Sequence, residues 1–309
     1  MVWYAYLIFP LIGFIGMLCG GFWSIGCGWL IVPTLLIFGF HPLEAVGAAL
    51  LQMVFSTAPT VIKEFKTDFK GRSPVIFSLA LPMAAGVILT TFSGRIINTF
   101  LNARFGSKAL LTLFAFVMLF IGIKSLFGKT EDNQNKIPHF TKLQSFIAFI
   151  CGMITGVLSS LLGISGALIF RPVIINGFKV AEIQATKAIR LLLFIAAASG
   201  SMFYLFGGGI FHYHILFLGI LIALGGAFGF PIGVKYGRIV VKNGYTKILQ
   251  KSFGVIVLVI ITNTVLNLCG FVLMSRYLMI ICAFILFSLI NIFTLYTKRF
   301  PKVRKFDTI

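Results

Sequence analysis

Apolar runs of about the length needed to cross a bilayer follow one another along nearly the whole chain, with short polar breaks between them. The pattern predicts long helices at 43–63, 73–93, 107–127, 180–206, 212–236, 246–268 and 272–296. Two more apolar segments, 5–38 and 143–176, are interrupted by "SIGCG" at 24–28 and "GISGA" at 163–167. Glycine and serine favour breaks over continued helix, so these segments are expected to stop and restart. Each interruption precedes a short apolar arm with a proline, Pro33 in one and Pro172 in the other. The longest polar stretch, "GKTEDNQNKIPHFTK" at 128–142, reads as a linker.

The interrupted segments match one another. With "GFIGMLCGGFWSIGCGWLIVPTLLIFGFHPLEA" (13–45) laid on "GMITGVLSSLLGISGALIFRPVIINGFKVAEI" (152–183), Gly13 falls on Gly152, Ile25 on Ile164 and Pro33 on Pro172. After a one-residue gap, Gly39-Phe40 falls on Gly177-Phe178 and Glu44 on Glu182. Internal repeats of this kind are a common way to build secondary transporters.

Loop charge distinguishes two topologies. If each interrupted segment crossed once, nine basic residues would face outward against sixteen inward, a poor match to the positive-inside rule. If each is a hairpin that enters and returns on one side, twenty-one face inward and four remain outside, namely Arg95, Arg104, Lys108 and Arg276. The expected fold is therefore an all-α integral membrane protein of two inverted repeats. Each repeat has a glycine-broken re-entrant hairpin and three transmembrane helices, and one extra helix follows. The first repeat occupies 1–127, a cytoplasmic linker 128–142 and the second repeat 143–268. Residues 269–309 hold the extra helix and a basic cytoplasmic tail. The N-terminus is expected outside the cell membrane. The first apolar run lacks a positive n-region, so it is expected to be part of the mature fold rather than a signal peptide.

Composition agrees. Of 309 residues, 59% are hydrophobic and 11% charged, and mean hydropathy is +1.04, leaving no room for a sizeable soluble domain. The net charge of +19 sits mostly in short loops, which fits topology and anionic membrane lipid, and no nucleic acid is expected as a partner. Cys19, Cys27, Cys151, Cys269 and Cys282 lack metal-ligand spacing, and "HYH" at 212–214 suits a loop, so no metal site is expected.

A helix that restarts inside the membrane presents unpaired amides and the positive end of a dipole, a setting suited to anions. Ser24, Gly26, Cys27 and Gly28 at the first tip, and Gly163, Ser165 and Gly166 at the second, are the substrate-contact candidates. Small residues also permit plain helix packing, and "GMITG" at 152–156 reads that way. Lys187 and Arg190 lie three apart on one face of the 180–206 helix, with Arg190 about 12 Å past Glu182 at ~1.5 Å per residue. An intramembrane arginine is a functional-site hypothesis by default. Ala49 and Gln52 occupy the matching positions of the first repeat, which adds Gln52 to the candidates. Glu44 and Glu182, at helix starts, are either dipole-stabilising residues or coupling carriers.

With its two copies of a glycine-rich turn, an apolar arm with proline and Gly–x–x–x–x–Glu, the chain resembles the sulfite exporter TauE/SafE family of membrane transporters. The pieces are "GCGWLIVPTLLIFGFHPLEAVGAAL" and "GISGALIFRPVIINGFKVAEIQATKA". The second copy carries Ser165 and Ala167 in place of glycine, and Lys187 and Arg190 where the family often has small or hydroxyl residues. The resemblance implies secondary transport, as an exporter, of a small sulfur-containing anion such as sulfite, a sulfonate, sulfoacetate or thiosulfate. No cofactor is implied, a homodimer is compatible, and the absence of a Walker A element removes ATPase activity from this chain. Two alternatives compete: a thiol-based sulfur relay through Cys27 with Cys19 or Cys151, and an uncoupled anion channel. No enzyme activity is expected.

Overall fold

The computed structural model describes residues 4–70, 73–127, 140–164, 166–209 and 211–301. Among them the chain forms eleven α-helices and no strand. Most of the polar linker (128–139), Ser165 and the last part of the basic tail (302–309) lie outside the described residues.

Both interrupted segments break where the glycines and serines stand. Helix α1 (Tyr4–Trp23) ends at the first cluster and α2 (Gly28–Ile37) restarts from Cys27. Gly20 lies on the backbone of Gly26, Gly16 on Ile31 and Cys27, and the Phe9 and Phe40 rings meet at 5.7 Å. The chain therefore returns by residue 40 to the level it left at residue 9. The second segment repeats this. Helix α6 (Lys142–Leu162) ends at Gly163, α7 (Ala167–Pro172) restarts, and a π-helical turn (Val173–Gly177) follows the proline. The Phe140 and Phe178 rings stand 6.3 Å apart, closing that hairpin at its base. A capping box at Thr141 and Gln144 fixes where α6 starts.

The long helices are α3 (Pro42–Lys70), α4 (Leu81–Phe105, entered through a π-helical turn at Ile76–Ala80), α5 (Ser107–Phe127), α8 (Glu182–Leu205), α9 (Tyr213–Lys242), α10 (Thr246–Leu268) and α11 (Val272–Arg299). Eight described helices are long and apolar enough to cross a membrane; α6 is among them, and the Ile8–Trp23 stretch of α1 is shorter. The expected seven full spans therefore become eight candidates, because the long arm of the second hairpin reaches about 30 Å at ~1.5 Å per residue. Three boundaries also move, one of them the end of α9, which runs six residues beyond 236 to Lys242. Helix α4 continues past 93 to Phe105 because Gly94 serves packing rather than a stop, and α3 runs seven residues beyond 63 to Lys70.

Glycine lets backbones touch. On α9, Gly225, Gly229, Gly233 and Gly237 recur every four residues, and a Cβ added at each would come within 1.7–2.2 Å of the carbonyl oxygens of Pro10, Phe14, Leu18 and Phe22 on α1. Four-residue spacing of small residues is the arrangement that permits such close helix contact in membranes. Helices α4 and α6 use the same device: Gly86 lies on the Phe149 carbonyl, Gly94 on that of Val157 and Gly152 on that of Met83. The two sets correspond residue by residue at a 139-residue shift, since Gly225 meets Pro10 where Gly86 meets Phe149, and Gly13 meets Ile222 where Gly152 meets Met83.

Contacts also give direction. In the first group α1, α3 and α9 run parallel: Gly47 lies near Ile215, Leu51 on Gly219 and Glu64 on Arg238. In the second, α4, α6 and α8 run parallel, with Phe92 near Phe203 and Arg95 at Gly207. The groups meet antiparallel where α3 faces α8: Gly47 touches Tyr204, Leu50 touches Gly200, and Glu64 pairs with Arg190. Helices α5 and α10 pack on each other at the flank, and α11 covers part of α1, α2, α9 and α10.

Candidate functional site

The two hairpin tips meet. Gly28, the first residue of α2, lies so close to Gly163 that an added Cβ would stand 1.9 Å from its carbonyl oxygen. Gly163 caps α6 in the left-handed conformation (φ +70°), and Gly166 starts α7 the same way (φ +71°) against the Thr155 side chain. Gly26 (φ +75°) accepts a 2.7 Å hydrogen bond on its carbonyl from Trp29 Nε1. Ser24 takes φ +55°, a conformation that side chains other than glycine adopt at a cost. The backbones of the two tips are thus packed directly against each other.

Arg190 lies at the face between the two helix groups and is 4% exposed. Its guanidinium is engaged. Nε donates to Glu64 Oε2 at 2.8 Å and Nη2 to Glu64 Oε1 at 2.9 Å, a bidentate fork, while Nη1 donates to Ser24 Oγ at 3.0 Å. Glu64 Oε1 also accepts from Arg238 Nη2 at 3.0 Å, and Arg238 is half exposed. One carboxylate therefore joins α3, α8 and α9, and one hydroxyl brings in the first tip. Pairing of this kind is what a buried charge needs. The fork geometry would equally fit two oxygens of a small oxyanion.

Gln52, fully buried, holds a second polar chain about two to three turns from Glu64 on α3. Cys27 Sγ donates to Gln52 Oε1 at 3.1 Å and Gln52 Nε2 to Ser56 Oγ at 3.1 Å. Gln52 and Arg190, at matching repeat positions, each bond to a residue of the first tip. Glu182 does not approach Arg190. It pairs with Arg171, whose Nη1 also donates to the Trp23 carbonyl at 2.7 Å. Glu44 stands half-buried in the first turn of α3, and Lys187 is half-buried on α8. Ser165 lies outside the described residues.

A cavity of about 380 Å³ lies beside these groups, on the flank formed by α5, α7 and α10. Trp23, Ile25 and Leu168 bring the hairpins to its wall, Phe116 and Phe120 make it apolar, and Lys124 and the Arg171–Glu182 pair line it. Arg190, Gln52 and Cys27 are not among its lining residues.

Sequence reasoning missed Glu64, Arg238 and Ser56. Gln52, Ser56, Thr60 and Glu64 form a polar row at four-residue spacing, a signal that could have found the first partner of Arg190.

The sequence profile of the family described as sulfite exporter TauE/SafE matches residues 9–264, which includes both hairpins and every candidate above. The chain belongs to the sulfite exporter TauE/SafE family. Relatives of this TauE/SafE protein carry the description of probable membrane transporter proteins. One from Bacillus subtilis, YunE, is 21% identical over 282 residues, covering 83% of this chain and 96% of the relative. A Sinorhizobium protein is 27% identical over 227 residues, 72% of this chain and 78% of the relative. One from Methanocaldococcus jannaschii is 23% identical over 178 residues, 54% of this chain, and the match spans 62% of that relative's length. No solved structure matches the chain. This TauE/SafE protein is a multi-pass membrane transporter.

Proposed function

We propose that the chain is a secondary transporter, working as an exporter, of small sulfur-containing anions such as sulfite, sulfonates, sulfoacetate or thiosulfate. One observation carries the anion reading: a buried arginine fork, Arg190, stands between two antiparallel helix groups and touches the tip of a broken helix. Such a fork recognises planar or tetrahedral oxyanions and stays charged when desolvated.

The residue-by-residue correspondence of the two helix groups supports inverted repeats and alternating access by rocking one group against the other. The seat would be assembled from Arg190, Lys187, Gln52 and the tip residues Ser24, Gly26, Cys27, Gly28, Gly163, Ser165 and Gly166. Glu44 and Glu182 are candidates for coupling. Basic residues gather at the end where α3 and α9 finish and α8 begins, which supports that end as cytoplasmic and the N-terminus as external in the cell membrane. A thiol relay is less well supported, because Cys19 and Cys27 are fully buried and Cys27 is hydrogen-bonded to Gln52. The test is uptake into inside-out vesicles of labelled sulfite, sulfate, thiosulfate, taurine and sulfoacetate. Transport of a sulfur oxyanion, retained in a cysteine-free variant, supports the reading. Transport of none removes it.

A further inference from the structure

We propose that Glu64 is a built-in competitor for the anion seat: its carboxylate occupies the Arg190 fork until a substrate anion takes that place, and Arg238 then keeps Glu64. The inference rests on Arg190 being the anion-binding residue.

Three observations lead to it. First, Glu64 fills the fork as an oxyanion would, with two oxygens on two guanidinium nitrogens at 2.8 and 2.9 Å. A substrate anion needing the same donors cannot bind beside it, because two anions on one fork repel and share too few N–H groups. Second, Glu64 Oε1 already accepts from Arg238 at 3.0 Å, and Arg238 is half exposed. The carboxylate can leave Arg190 without becoming an unpaired charge, which would otherwise be prohibitive. Third, the two partners lie in different helix groups. Arg238 is on α9, which runs with α3, whereas Arg190 is on α8, in the opposing group. With Glu64 on Arg190, the groups are tied at the basic end. With Glu64 on Arg238 alone, that tie is gone. Anion arrival and release of the tie become one event, which is the differential interaction that a conformational change requires.

The same geometry predicts that the two arginines act in opposite ways. Removing the competitor should favour the anion. Removing the alternative partner should hold Glu64 more firmly on Arg190 and disfavour the anion, although Arg238 never contacts it.

The test is calorimetric titration of purified full-length protein with sulfite, thiosulfate and sulfoacetate, each in low-chloride buffer. Four forms are compared: wild type, Glu64→Gln, Arg238→Gln and Arg190→Ala. The expected result is that Glu64→Gln binds at least one probe about tenfold more tightly than wild type and Arg238→Gln several-fold more weakly. Arg190→Ala should bind none of the probes. If Arg190→Ala binds as wild type does, the anion reading of Arg190 fails. If Arg190→Ala loses binding while Glu64→Gln shows no gain, the competitor proposal alone is overturned. Failure of all three probes on well-folded Glu64→Gln overturns it too. Should Glu64→Gln not fold, Arg238→Gln decides: weaker binding, restored by Arg238→Lys, supports the proposal, and unchanged binding overturns it.

Discussion

Gly28 sits on the carbonyl oxygen of Gly163, at a distance where a Cβ would stand 1.9 Å away. That contact joins the tips of two hairpins that are far apart in sequence. The nearest alternative atoms are also backbone, so neither side can yield as a flexible side chain would. Gly28→Ala should therefore push the tips apart. The expected cost is about 1–3 kcal/mol of stability, with transport lost, read as a lower melting temperature of purified protein and no vesicle uptake. Normal uptake by Gly28→Ala would mean that the tips need not touch for function.

Gly166 tests the tip differently. It combines φ +71° with a Thr155 methyl only 2.4 Å from an added Cβ, so valine is disfavoured by conformation and by space. Gly26→Val and Gly166→Val should block transport while the protein still reaches the membrane. Full transport by the double variant, with normal expression, would reduce both glycines to packing.

The glycine row of α9 makes a prediction about assembly. Gly229→Leu and Gly233→Leu should prevent α9 from lying on α1 and sharply lower the yield of monodisperse protein, because each fills a backbone contact at 2.2 Å. Gly177→Ala is the matched control, since nothing lies within 4 Å of its added Cβ. Thermal denaturation of the three variants in the same detergent provides the comparison.

Much of this arrangement was legible because breaks in a membrane helix require particular residues. Gly26, Gly163 and Gly166 all adopt positive φ, and the hairpins turn at the residues that interrupt the apolar runs. Pairing of the ends was also foreshadowed, since Phe40 and Phe178 match in the repeat and each closes its hairpin against an aromatic ring. Charge pairing was less legible. Glu64 stands in "KEFKTDFK", which reads as the polar end of a helix, and only the continuation of α3 to Lys70 carries it inside. Arg171 likewise takes Glu182 because the short arm α7 returns beside α8, a relation of folded chain rather than of spacing. The 73–93 helix was read twelve residues too short at its end, and Gly94, just past that bound, carries a close contact with the Val157 carbonyl of α6.

Orientation can be read without any ligand. A reporter at the C-terminus should behave as cytoplasmic, one inserted at Gly208 as external, and one inserted directly after Lys70, the last residue of α3, as cytoplasmic. The basis is the gathering of Lys63, Lys66, Lys124, Lys142, Lys235, Lys242 and Lys251 at one end of the bundle, against Arg104, Lys108 and Arg276 at the other. A cytoplasmic Gly208 with an external reporter after Lys70 would reverse the topology.

Arg190→Lys separates charge from geometry. Lysine keeps the positive charge beside Glu64 and Ser24, so the protein should fold, express and melt close to wild type. It cannot offer two parallel N–H groups to two oxygens, which is what both Glu64 and an oxyanion use. Loss of one charged hydrogen bond costs roughly 1.5–3 kcal/mol, about ten- to a hundredfold in affinity. The same change weakens the Glu64 competitor, so the net loss for the anion should fall toward the tenfold end. Arg190→Ala differs in kind. It leaves Glu64 partly buried with Arg238 as its remaining ion-pair partner among those it has here, and should lower stability as well as binding. Affinity and melting temperature measured on the same purified samples distinguish the cases. A wild-type affinity in well-folded Arg190→Lys would show that charge alone holds the anion, and would move the seat toward Lys187 and the hairpin tips.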